Sequence, residues 1–271
     1  MVTQIVIPTY NAVEHLRRCM QTIEERTAVP YKVYIADDCS PSSELHAYLD
    51  MLEGTSKATV FRNRTRKGFA GINNWAVEQL PPNDHILLLN SDIEPLEGWL
   101  KALVDELEDP EVGIVGARLL YPDTASPEQR MRIQHAGVAR TIDGYPYHPF
   151  RNEPANFMPA SYRREVNAIT GACMLIRKTV WDQLRGFDVG YIGGNFEDVD
   201  LCWRARELGW KVIYQPSATL YHYEHGSGME MVELHSARNC QRCRTLFAGL
   251  GSDEYLFGLD ERMSDNSIIT L

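Results

Sequence analysis

Apolar residues in the first 117 positions gather in short runs, each closed by a proline, a charged residue or an amide. Residues 4–7, 31–36, 58–61, 85–89 and 112–117 read as strands on that ground. Between them the apolar positions change to helical spacing. Val13, Leu16, Cys19, Met20 and Ile23 predict a first helix, with Asn11 as its cap. Leu45, Tyr48, Leu49 and Leu52 predict a second, residues 70–79 a third and residues 96–107 a fourth. Strand and helix in strict alternation call for a mostly parallel, doubly wound α/β sheet. The second half has a different texture. Residues 120–165 are rich in Pro, Arg and polar groups and read as loop, 166–176 as a strand and 179–184 as a short helix. A glycine-rich stretch, 190–194, leads into Asn195-Phe196-Glu197-Asp198-Val199-Asp200 and a helix through Leu208. Residues 211–214 and 218–223 are strand-like, and helix is expected from Met229, with 238–247 suiting it. No linker separates the halves, so residues 1–271 are expected to form a single domain.

The strand ends carry the chemistry. Asn90-Ser91-Asp92 follows the apolar run Ile86-Leu87-Leu88-Leu89 directly. The carboxyl end of a buried parallel strand opens on the crevice where α/β sheets bind ligands, and a carboxylate there can hold a hard divalent ion against phosphate. The competing reading is a strand followed by a helix or turn start, since Ser and Asp also cap. Asp37-Asp38-Cys39-Ser40 closes the second strand, where an Asx-turn is the local alternative.

Composition narrows the classes. An apolar content of 44% suits a globular core, and no apolar run approaches membrane-spanning length. The amino terminus reads as a strand rather than a secretory signal. A net charge of −10 argues against broad nucleic-acid binding. Two local basic groups remain: Arg62, Arg64, Arg66 and Lys67, and Arg238, Arg242 and Arg244. Six cysteines do not make a disulfide framework in such a chain, and the CxxC pair Cys240 and Cys243 has no second CxxC to complete a zinc site.

Taken in order, Ile7-Pro8-Thr9-Tyr10-Asn11, Asp37-Asp38-Cys39-Ser40, Asn90-Ser91-Asp92 and Glu197-Asp198-Val199-Asp200-Leu201-Cys202-Trp203-Arg204 resemble family 2 glycosyltransferases. Gly68-Phe69-Ala70-Gly71-Ile72-Asn73-Asn74 and Gly171-Ala172-Cys173 fit the bacterial rhamnosyltransferase-like subgroup. The resemblance spans about residues 3–245 and implies the GT-A fold, Rossmann-like. A nucleotide-sugar-binding half would cover 1–117, an acceptor and catalytic half 118–245, and a tail 246–271.

The resemblance also implies roles. Pro8, Thr9, Tyr10, Asp38, Lys67, Gly68, Asn74, Asn90 and Ser91 would bind the nucleotide sugar. Asp38 would accept the N3 proton of uracil or thymine, which cytosine lacks, with Tyr10 beside the base. Asp92 and His222 would hold Mn2+ or Mg2+, with His225 a weaker competitor for the second place. Asp198 would be the general base, with Gly171, Ala172 and Glu197 near the acceptor. Trp203 and Phe196 read as core, and Asp200 and Arg204, four apart, as a helical ion pair. The implied reaction is an inverting transfer from a UDP- or dTDP-sugar to a saccharide or glycolipid hydroxyl in bacterial polysaccharide or glycoconjugate synthesis. The expected place is the cytoplasm, with room for peripheral association at the inner membrane face. Rivals are a retaining GT-A enzyme, which would carry Gly-Gly-Glu-Asn near Gly193, a sugar nucleotidyltransferase, which needs a basic glycine-rich loop after the first strand, and an inactive carbohydrate-binding scaffold.

Overall fold

The computed structural model describes residues 2–82, 84–224, 229–248, 250 and 252–259. The first half runs β1 (Thr3–Thr9), α1 (Val13–Arg26), β2 (Tyr31–Asp37), α2 (Ser43–Gly54), β3 (Thr59–Arg62), α3 (Gly68–Glu78), β4 (Ile86–Leu89), β5 (Ile93–Pro95), α4 (Trp99–Glu106) and β6 (Val112–Leu120). The second half runs β7 (Ile133–His135), β8 (Ala139–Arg140), β9 (Pro146–Tyr147), β10 (Arg164–Val166), β11 (Cys173–Ile176), α5 (Lys178–Leu184), α6 (Glu197–Glu207), β12 (Lys211–His222) and α7 (Met229–Leu246).

Among the described residues, ten strands form one sheet whose main path is β10-β12-β6-β11-β4-β1-β2-β3. β1 lies parallel to β2 and β4, β2 to β3, and β12 to β6. Period-two alternation assigns side chains to two cores. Ile5 and Ile7 of β1 and Leu87 and Leu89 of β4 face α1, α2 and α4, while Val6, Ile86 and Leu88 face α3, α5 and α6. All seven are fully buried, which is why these strands read as continuous apolar runs.

Four expectations need correction. Residues 166–176 are not one strand: β10 pairs with β12 at the sheet edge, whereas β11 runs antiparallel between β4 and β6. Residues 211–214 and 218–223 belong to one strand, β12, whose register against β6 shifts between Gln215 and Thr219. Pro216 within that interval has no N–H to give a ladder, consistent with a bulge there. The 96–107 helix shortens to α4, because β5 and the left-handed Gly98 (φ 75°) precede it. Asn11 does not cap α1: it stands at φ 60°, its N–H donates to Ser40 Oγ at 3.0 Å, and the helix starts from Ala12 without a side-chain cap. His225, the weaker metal candidate, lies outside the described residues, as do residues 260–271 of the tail.

Candidate active site

Asp92 and His222 are far apart in sequence and adjacent in space because of β5. This strand runs antiparallel to the end of β12, with His222 opposite Ile93, and Tyr223 N–H donates to Asp92 O at 3.0 Å. The pairing places His222 Nε2 3.3 Å from Asp92 Oδ1. Both side chains are largely buried. Burial is the largest single influence on the Asp92 carboxyl and would raise it, but the His222 charge and hydrogen bonding together outweigh it and hold the pKa down at about 2. Burial likewise depresses the His222 imidazole, and the charge of Asp92, its hydrogen bonding and the Glu224 charge together turn that into a net rise.

This pair fits a divalent metal. Asp92 Oδ1 is buried without a formed hydrogen bond, so an acceptor oxygen and an imidazole nitrogen converge with nothing between them. One carboxylate and one imidazole suit Mn2+, and Mg2+ to the extent that it retains water. Among the described residues no group of three His, Cys, Asp or Glu side chains forms a complete cage. The remaining ligands would have to come from donor and solvent.

Asp38 ends β2 at the mouth of the same sheet edge and is 4% exposed. Its carboxylate accepts Lys67 N–H at 2.8 Å and Gly68 N–H at 2.9 Å, with Asn63 Nδ2 at 3.3 Å. Gly68 adopts φ 70°, a left-handed conformation that a Cβ would strain, and this turns its N–H toward the acid at the start of α3. Asp38 therefore anchors the basic loop. Tyr10, one strand over, is covered on one face by the Arg66 guanidinium, 3.7 Å from the ring centroid. Thr9 is buried with its Oγ1 unpartnered. Pro8 is half-buried on β1.

Asn74 is turned elsewhere. Its Oδ1 accepts Phe187 N–H and its Nδ2 donates to Phe187 O, both at 2.9 Å, so its amide locks the 186–187 turn and is not left free for a nucleotide. Asn90 N–H donates to Ala172 O at 2.9 Å, and Ser91 is nearly buried. Lys67 is exposed on the loop that Asp38 holds.

The turn before β11 joins this edge to Asp198. Gly171 N–H donates to Asp198 Oδ2 at 2.8 Å, while the next residue, Ala172, receives Asn90. A Cβ on Gly171 would meet the Phe69 ring at 3.2 Å and Asp198 Cβ at 3.5 Å, so a side chain there would press on the ring. Asp198 Oδ1 also accepts its neighbour's N–H, Val199, at 2.8 Å. Asp198 and Glu197 occupy the first turn of α6, where the helix dipole favours acids. Burial nevertheless raises both carboxyls, and Glu197 rises further through the Asp198 charge beside it. Glu197 Oε2 is buried with no hydrogen-bond partner, so nothing there offsets the cost of burying its charge.

Asp200 does pair with Arg204, at 2.6 Å, and Arg204 also donates to Leu184 O and Gly186 O. Trp203 is core, 4.7 Å centroid to centroid from Phe247, and Phe196 packs against the same core. One residue absent from the sequence-based set is Asn239 of α7, which is fully buried. Its Nδ2 donates to Ile192 O at 2.9 Å and Gly194 O at 2.8 Å. It holds a loop in which Gly193, Gly194, Asn195 and Phe196 all have positive φ, immediately before the acids. All six cysteines are free thiols, Cys240 and Cys243 included.

The family model described as Glycosyl transferase family 2 matches residues 4–185. An uncharacterized protein, y4gI, of Sinorhizobium fredii is 30% identical over 82% of this chain and 24% of its own length. The O-antigen biosynthesis protein RfbC of Myxococcus xanthus is 29% identical over 82% of the chain and 17% of its own length. The chain thus spans about a quarter or less of these two relatives. An N-acetylglucosaminyl-diphospho-decaprenol L-rhamnosyltransferase of Mycobacterium tuberculosis is 26% identical over 84% of the chain and 78% of its own length. Among solved structures, GalNAc-T7 with UDP, GalNAc and Mn2+ superposes with a TM-score of 0.66 at 17% identity, over 86% of this chain and 48% of that one. A mannosyltransferase of Pyrobaculum calidifontis with GDP-Man and Mn2+ gives 0.63 at 15%, over 94% and 66%. These likenesses show the GT-A fold.

Proposed function

The chain belongs to glycosyl transferase family 2, and from that premise we propose that it transfers a sugar from a UDP- or dTDP-sugar to an acceptor hydroxyl with inversion. The observation that carries the reading is the hydrogen bond from Gly171 N to Asp198, next to the Ala172 contact with Asn90. It sets a carboxylate beside the sheet edge that carries Asp92. Asp198, its basicity raised by burial, accepts the proton of the acceptor hydroxyl as that oxygen attacks the anomeric carbon. Glu197 stays neutral beneath it, which spares Asp198 a second negative charge. Gly171 and Ala172 shape the acceptor side. A divalent metal, when bound, supplies neutralising charge for the departing diphosphate; Asp92 and His222 are the residues that would hold it. Asp38, with Tyr10, Lys67 and Gly68, receives the nucleotide. The Mn2+ and the UDP or GDP-Man in the two solved neighbours support a metal and a nucleotide-sugar donor here.

RfbC and the mycobacterial rhamnosyltransferase support a place in bacterial polysaccharide or glycoconjugate synthesis, with a saccharide or glycolipid acceptor. No helix among the described residues is long and apolar enough to cross a membrane.

The test is Asp198→Asn. The amide keeps size and cannot take the proton, so nucleotide affinity should hold while transfer falls by about two to four orders of magnitude. NMR of the transfer product should show the inverted linkage, β from an α-linked donor or α from a β-linked one. Retained configuration, or near-normal turnover in the variant, would return Glu197 and Asp198 to a capping role.

A further inference from the structure

The two nitrogens of His222 have different neighbours. Nε2 faces Asp92, as described, and Nδ1 lies 2.7 Å from Gln134 Oε1. An amide oxygen only accepts, so the proton belongs to Nδ1. The orientation of that amide is fixed by its other end: Gln134 Nε2 donates to Glu224 Oε2 at 3.2 Å and to His222 O at 3.4 Å, and both partners are acceptors. Flipping the amide would set oxygen against oxygen twice. Glu224 is itself held, since Arg151 Nη2 donates to Oε1 at 3.1 Å and Oε2 at 3.3 Å. Arg151 Nε donates to Tyr121 Oη at 2.7 Å. Gln134 is 4% exposed and sits on β7, which pairs with β6, so its position is set by the sheet.

A cation binds only the neutral imidazole, having displaced the extra proton that Asp92 favours, and that form carries one proton. With it at Nδ1, the lone pair is left on Nε2, pointing at the orphaned Asp92 oxygen. We propose that Gln134 is the positioning residue of the metal site, fixing the tautomer and ring orientation of His222 so that Nε2 is the ligand. Tyr121, Arg151 and Glu224 continue the chain of contacts outward and hold Gln134 in turn. The inference rests on the reading of Asp92 and His222 as the metal-holding pair. It gives the 120–165 segment, read from sequence as loop, a task at the metal site.

Direct Mn2+ titration in the presence of UDP, with free Mn2+ read by electron paramagnetic resonance, tests it without any turnover. Wild type, His222→Ala, Gln134→Leu and the exchange Gln134→Glu with Glu224→Gln are compared. The leucine should weaken Mn2+ binding roughly 10- to 100-fold, the usual cost of losing such a support. The exchange keeps net charge, an acceptor oxygen at His222 Nδ1 and an amide donor beside it, and should recover most of the loss. Nitrogen-15 NMR of the wild-type protein loaded with Mg2+ and UDP should show His222 protonated at Nδ1, which decides the matter even if the leucine variant fails to fold. Mn2+ affinity lost in His222→Ala but unchanged in Gln134→Leu, or a proton on Nε2, overturns the inference and leaves the metal reading intact. A wild-type protein indifferent to Mn2+ overturns both.

Discussion

Glu197 is 3% exposed, one of its carboxyl oxygens has no partner, and its neighbour Asp198 is also an acid. Burial first, then the Asp198 charge, lift it above the ordinary value of 4.5. An acid raised in the folded state holds its proton longer folded than unfolded. Its contribution is complete below the unfolded value and is lost as pH climbs from there toward the raised one. Glu197→Gln removes that loss. Urea unfolding at pH 5 and pH 9 should show wild type falling more than the variant across this interval; parallel curves would mean that Glu197 does not hold its proton. Asp38 has a different economy, because its carboxylate serves two backbone donors at the start of α3. Asp38→Asn can accept only one of them well, which leaves a buried N–H and should cost about 1–3 kcal/mol. Calorimetry should also show UDP losing its advantage over CDP in this variant; an undiminished UDP preference would remove Asp38 from the base edge. The sequence showed Asp38 as an acid closing an apolar strand. It could not show the hold on Lys67 and Gly68, because that depends on where backbone N–H groups point. Asn74 misleads for the same reason: its residue type suits a nucleotide contact, and only the fold brings Phe187 against it.

At the scale of elements, the apolar runs of the first half were legible because burial on both faces leaves no polar positions to interrupt them. β5 was not, since three residues cannot display a period, yet it is the element that brings Asp92 to His222. β11 was legible as strand, but its antiparallel insertion between β4 and β6 follows from the chain's path through 120–172 rather than from its own residues. The start of α3 at Gly68 illustrates what a single backbone angle does. At φ 70° with open space around the would-be Cβ, Gly68→Ala meets no clash, only conformational strain. The cost should be roughly 1–2 kcal/mol in chemical denaturation, with nucleotide affinity falling because the Asp38 contact loosens. Unchanged stability and affinity would show that the turn is not held as described.

Across the whole molecule, the strand ends of the first half carry the residues proposed to bind the donor, Tyr10, Asp38 and Asp92. The second half supplies His222 on β12, Asp198 on α6 and the α7 residue Asn239, which steadies the loop before the acids. The two sets of residues meet because β11 and β12 sit inside the same sheet as β4 and β1. Net charge of −10 leaves room for a local basic group: Arg64, Arg66 and Lys67 stand on the loop that Asp38 holds, while Arg62 pairs with Asp50 and Glu53 at 2.6 Å. The most direct measurement is nucleoside diphosphate release from a panel of UDP-, dTDP-, GDP- and CDP-sugars, with Mn2+ and with chelator. The account predicts release from uridine or thymidine donors, abolished by chelator and by Asp92→Ala and weakened by His222→Ala. Release that persists in chelator and in Asp92→Ala, or that is as fast from CDP-sugars, would contradict it.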